Sequence, residues 1–99
     1  MEDPKIVFKV LANETRLQIL QWLKSPEQHF AATAIKPDVG VCVGDIQKKA
    51  GLAQSTVSHY LAMLESAGFV TATREGQWTY YCRNEATFKA LAELIEFQL

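Results

Sequence analysis

Long apolar runs are missing from this 99-residue chain, and no stretch is suited to cross a membrane as a helix. The opening residues, MEDPKIVFKV, lack a basic-then-apolar signal pattern, so a cytoplasmic protein is expected. Cysteine is scarce: only Cys42 and Cys82 occur, and in the cytosol they stay reduced unless they act as sensors. There is no glycine-rich phosphate loop and no nucleophile elbow. The two histidines, His29 and His59, have no persuasive triad partners, so an enzyme is not expected. An excess of positive charge is also missing. Ten Lys and Arg against 11 Asp and Glu give a net charge of −1. Non-specific affinity for nucleic acid comes from Lys and Arg on phosphates, so any DNA binding should be modest and salt-sensitive.

The length supports one core and not two, so residues 1–99 are expected to form a single domain. The informative stretch runs from Gly44 to Arg83, GDIQKKAGLAQSTVSHYLAMLESAGFVTATREGQWTYYCR. An apolar-periodic helix over about 45–50 ends at Gly51, which can take the left-handed conformation that stops a helix. A tight turn through Leu52 and Ala53 follows, with Leu52 expected to pack between the two helices. A second helix covers about 54–67. Its buried seam is Val57, Leu61 and Leu64, joined by Ala50 from the first helix. Its outward face is left with Gln54, Ser55, Thr56, Ser58 and His59. Two strands, Val70–Arg74 and Gln77–Arg83, are joined through Glu75 and Gly76. Helix, tight turn, helix and β-hairpin make a winged helix-turn-helix, in which the second helix presents short polar side chains to the DNA major groove. The fold class is therefore mainly α with a small β-hairpin.

Lys48, Lys49, Arg74 and Arg83 gather in this half, while the C-terminal segment sets Glu85, Glu93 and Glu96 against Lys89. That asymmetry favours one basic face. Arg74 and Gln77, near the hairpin tip, are candidates for phosphate or minor-groove contact. Alternation along the second strand puts Trp78 and Tyr80 on one face and Tyr81 on the other, with packing of the wing against the body as their expected role. The other class of function is a winged-helix module whose polar helix face docks onto a protein, which near-neutral charge favours. The polar recognition face and basic wing tip favour double-stranded DNA.

Three segments together resemble the ArsR/SmtB family of bacterial winged-helix repressors. AGLAQSTVSHYLAMLESAGFV is close to its recognition segment, LANETRLQILQWL looks like its second helix, and REGQWTYYCRN looks like its wing. The resemblance spans almost the whole chain. It implies a homodimer that binds a palindromic operator and represses transcription until a signal releases it. The chain departs from the family at Ala53, where members often have a helix-capping Ser, a contribution of roughly 1 kcal/mol. It departs again at Cys42-Val43-Gly44, where the family's thiol metal site has Cys-Val-Cys. A single thiolate does not supply the ligand set that soft ions need. The family's other site uses Asp and His on the last helix, and residues 85–99 contain neither. No metal and no cofactor are expected. Cys42 and Cys82 are then either two buried apolar thiols, or a thiol switch, or a soft-metal site recruiting Cys from both subunits.

Around this unit, Asp3 and Pro4 begin a helix to about Leu11, and Asn13 caps a second helix to about Lys24 with Leu17, Ile19, Leu20 and Leu23 inward. Residues 25–40 lack clean periodicity, with Pro26, Pro37 and Gly40, and form a long connection of the kind that is often functional. Val41–Val43 reads as a short strand. The last helix starts near Glu85. Val7, Phe8 and Leu11 at one end, and Phe88, Leu91, Leu94 and Ile95 at the other, form apolar stripes with few internal places to hide. They are read as the dimer interface.

Overall fold

The computed structural model describes residues 3–99. Helix α1 spans Pro4–Leu11 and α2 spans Glu14–Lys24. Each starts on a side-chain cap that satisfies an otherwise free backbone donor: the Asp3 carboxylate accepts from the Lys5 N–H, and the Asn13 side chain accepts from the Arg16 N–H. Strand β1 is Ile35–Lys36 and β2 is Gly40–Cys42. Helix α3 (Val43–Ala50) and helix α4 (Gln54–Ser66) follow. Then come β3 (Val70–Glu75), β4 (Trp78–Arg83) and α5 (Glu85–Gln98).

The connection over residues 25–40 is not structureless. Two 3-10 turns, Pro26–Gln28 and Ala32–Ala34, lead into β1, which pairs antiparallel with β2. The chain reverses through Pro37, Asp38 and Val39, with Asp38 at a φ of 64°. Gly40 permits the return, because a Cβ there would collide with the Tyr81 carbonyl. The expected hairpin is thus half of a four-stranded antiparallel sheet, in the order β1-β2-β4-β3. Single-sequence periodicity misses β1 because two residues carry no period. Pairing to β2 creates the strand.

Register gives the sheet two distinct faces. Ile35 pairs with Val41, Val41 with Tyr81, and Tyr81 with Ala72, so these four share the inner face. Val41 and Val70 are buried in the core, and Tyr81 packs against it. The other parity places Lys36, Cys42, Trp78, Tyr80, Cys82 and Thr71 on the outer face. The alternation of Trp78, Tyr80 and Tyr81 is as expected, but the packing role fails for Trp78, which is 58% exposed. It lies near the wing tip on the outer face, where it borders an open cleft beside α3 and is not packed into the core.

The core draws on every helix. Val7 and Val10 of α1, Ile19, Leu20 and Leu23 of α2, Ile46 of α3 and Leu91 of α5 are buried with Val57, Leu61 and Leu64 of α4 and with Phe69. Phe88 meets Phe69 with ring centroids 5.1 Å apart. Two expectations change. Leu17 and Leu52 are exposed, not inward. The inward stripe of α2 is Arg16, Ile19, Leu20 and Leu23, a regular i, i+3, i+4, i+7 series. Leu17 falls outside it, and the position it seemed to fill belongs to a charged residue.

Candidate nucleic-acid interface

Helix α3 ends at Gly51, whose φ of 66° and ψ of 24° are left-handed, and whose N–H donates to the Gln47 carbonyl. Three residues later α4 begins. Ala53 is its N-cap and makes no side-chain cap, as its missing hydroxyl requires. The Thr56 and Val57 N–H groups, each 3.1 Å from the Ala53 oxygen, close the first turn through backbone alone. The Gln47 side chain steadies the turn by donating to the Leu52 carbonyl at 3.4 Å.

With Val57, Leu61 and Leu64 committed to the core, α4 turns Gln54, Ser55, Ser58 and His59 to solvent. Thr56 is half-buried at the edge of this group. Gln54, Ser55 and Ser58 make no side-chain hydrogen bond within the described residues. Short hydroxyl and amide side chains on one exposed helix face are suited to the base edges of a major groove. Their distribution follows from helical period alone.

The basic residues divide. Lys48 is exposed beside Trp78 and Tyr80, in a cleft of about 350 Å³ between α3 and the outer sheet face that Cys42 and Asp45 also line. Lys49 is drawn the other way, its ammonium 5.3 Å from the Trp22 ring centroid and 5.8 Å from that of Phe30. Arg74 is exposed at the wing tip, donating to the Gly76 carbonyl at 3.3 Å, and Gln77 is exposed beside it. Arg83 is unavailable. It forms a forked pair with Glu85 at 2.9 and 3.0 Å and lies 3.6 Å from the Phe88 ring centroid. Lys36 has no signal in the sequence, because its strand has none. Its ammonium is 2.7 Å from Glu75, and that hydrogen bond holds its pKa above the usual lysine value.

Both cysteines are half-buried on the outer sheet face. Cys42 pairs with Tyr80 in register, and Cys82 with Thr71, whose hydroxyl oxygen is 3.1 Å from the sulfur. The two residues sit diagonally on neighbouring strands, a placement that sets backbones roughly 7–8 Å apart. A direct disulfide between them needs a backbone shift.

Family membership follows from these features together with comparison of the chain to known proteins. Residues 41–72, from β2 through α3, the turn and α4 into β3, match the model of bacterial regulatory proteins of the arsR family. The chain is also 46% identical to YbzH of Bacillus subtilis, an uncharacterised HTH-type transcriptional regulator, over 98% of this chain and 99% of that protein. The chain belongs to the arsR family. It is a winged helix-turn-helix transcriptional regulator. ArsR2 of Halobacterium salinarum, a putative arsenical resistance operon repressor, is 36% identical over 82% of this chain and 59% of its own length. Among solved structures, the homodimeric winged helix-turn-helix DNA-binding domain of a possible ArsR-family regulator from Mycobacterium bovis is 33% identical. Its TM-score is 0.64, covering 93% of this chain and 76% of that one.

The terminal helices divide the residues expected at the interface into inward and outward sets. Val7 is fully buried, and Leu91 and Leu94 are 8% and 7% exposed, so all three already serve this chain's own core. Leu11 and Phe88 are half-buried against that core. The apolar surface still open on α1 and α5 is Ile6, Phe8, Ile95 and Phe97, with Leu99 beyond. Phe8 and Ile95 belong to the expected stripes; Ile6 does not.

No described helix is long and apolar enough to cross a membrane.

Proposed function

We propose that the chain acts in the cytoplasm as a homodimer that binds a palindromic DNA operator and represses transcription there. The observation that carries this reading is the outward face of α4, where Gln54, Ser55, Ser58 and His59 are exposed and uncommitted on a helix fixed by three buried leucine and valine side chains. These four, with Thr56 at the edge, contact base edges. Lys48, Arg74 and Gln77 contact the backbone or the minor groove, with Lys49 a weaker contributor because Trp22 and Phe30 hold it. Ile6, Phe8, Ile95 and Phe97 form the dimer contact, since apolar patches of this kind on a small chain are stabilised by burial. Fluorescence anisotropy against the DNA upstream of the protein's own gene, at two salt concentrations, tests this. Binding that weakens with salt and saturates at two chains per site supports it. Absence of binding at both salts refutes it.

Release from the operator depends on Cys42. The thiol borders a cleft open to solvent and forms the N-cap position of α3, the helix that supports the turn. Peroxide oxidises a thiolate to a sulfenate with release of water, adding one oxygen at the start of α3. The expected result is loss of operator binding after peroxide treatment, restored by thiol reductant and absent in Cys42→Ser. Release by stoichiometric arsenite or zinc would instead assign the signal to a soft metal.

A further inference from the structure

Arg16 is the only charged residue among the buried ones described, at 8% exposed, and no carboxylate pairs with it among the described residues. A buried charge without a partner is costly, so its surroundings must compensate. They do so from two helices at once. The Nε–H donates to the Val10 carbonyl at 2.6 Å, and an Nη2–H donates to the Lys9 carbonyl at 3.2 Å. These are carbonyls of the last turn of α1, at its negative end; that of Lys9 also accepts from the Ala12 N–H at 3.2 Å. The guanidinium carbon is 5.2 Å from the ring centroid of Tyr60, on α4. Tyr60 directly follows His59 on the face proposed to read bases.

Little else joins α1 to α4 on this side. A cleft of about 380 Å³, lined by Ile6, Val10, His59, Ala62 and Met63 among others, opens between them. We propose that Arg16 is a positioning residue that sets the angle of α4 relative to α1, and so the separation of the two recognition helices in the dimer. The planar guanidinium is suited to this, because its fork fixes two carbonyls while its face stacks on an aromatic ring. The inference rests on the dimer reading, in which α1 lies at the interface. An arm fixed at its base holds its reading head at one spacing.

The test uses a palindromic duplex selected by the wild-type protein from a random-sequence pool, and two derivatives with one base pair added or removed between half-sites. Wild type should favour the selected spacing by roughly tenfold or more, since one wrong base-pair step displaces and rotates a half-site. Arg16→Met fills a similar space without charge but leaves the Val10 carbonyl without its side-chain donor. It should melt at a lower temperature yet stay folded and dimeric by light scattering, while spacing preference falls to about threefold or less. Tyr60→Leu should move the same way, and Tyr60→Phe, which keeps the ring, should match wild type. Loss of stability with unchanged spacing preference would assign Arg16 to packing alone and overturn the proposal. If Arg16→Met does not fold, the Tyr60 pair decides: equal spacing preference in Leu and Phe variants overturns it. A wild-type protein that is monomeric on the duplex removes the dimer reading and this inference with it, whereas a dimeric wild type with indifferent variants removes only the inference.

Discussion

The outward face of α4 and the outward faces of α1 and α5 are both exposed helical surface, yet they are built from opposite materials. On the N-terminal half of α4 the exposed residues are Gln54, Ser55, Ser58 and His59, all hydrogen-bonding. On the terminal helices they include Ile6, Phe8, Ile95 and Phe97, the last of these 76% exposed. Water solvates the first set without cost and DNA can replace that water group for group. The second set gains by leaving water, about 25 cal/mol for each Å² covered. One face suits a reversible polar partner and the other a lasting apolar one.

The sharpest way to break this contrast is to treat neighbouring apolar residues of α5 as equivalent. Leu91→Ala should cost about 2–5 kcal/mol of unfolding free energy, because it opens a cavity in the core. Ile95→Glu should leave the fold intact but shift light scattering from dimer to monomer. Urea titration at fixed protein concentration separates the two; equal destabilisation by both substitutions would show that α5 has no inner and outer side.

On the polar face, replacing Gln54 and Ser58 together with Ala should weaken operator binding, by about 1–3 kcal/mol for each good base-edge interaction removed, with circular dichroism unchanged. Undiminished binding would move the readout off α4. At the start of the same helix, Ala53→Ser should stabilise the fold by about 0.5–1 kcal/mol by supplying the missing cap, measured as a raised urea midpoint. No gain would mean that the turn geometry denies the hydroxyl an N–H to accept from.

Helix α4 was legible because its pattern has one solution: Val57, Leu61 and Leu64 fix a single buried line, flanked by half-buried Tyr60 and Met63, and Gln54, Ser55, Ser58 and His59 fall opposite it. Helix α5 was only half legible. It is apolar on both sides, and hydrophobicity does not distinguish the leucines that fill this chain's core from the side chains left for another. Helix α2 misled for a related reason. Leu17 looks inward by residue type, but the periodic line runs through Arg16, and an arginine is tolerated there only because α1 ends beside it. The same limit hid β1, whose two residues become a strand by pairing with β2, and left Trp78 assigned to packing although it projects from the tip. Local pattern carries what a helix does with its own faces. Contacts made by distant segments do not show in it.

The smallest expected effect separates the inner and outer sheet faces by pH. Burial, with a smaller push from Glu65, raises the Tyr81 pKa above the usual tyrosine value. The unfolded chain then loses this proton before the folded one does. Stability from this group is constant at neutral pH and declines as pH climbs past about 10, the unfolded value. Tyr81→Phe should flatten that decline in urea midpoints taken from pH 8 to 11; an unaltered slope would show that Tyr81 is effectively solvated.

The most direct test of the central claim is hydroxyl-radical footprinting on the selected palindromic duplex. Two symmetric protected segments, with centres about 10–11 base pairs apart and two chains bound, are the predicted result, since paired recognition helices of this type sit one helical turn apart. The Gln54 and Ser58 double variant should lose that protection. A single protected segment occupied by one chain, or protection unaffected by the double variant, would contradict the claim that a dimer reads DNA through the polar face of α4.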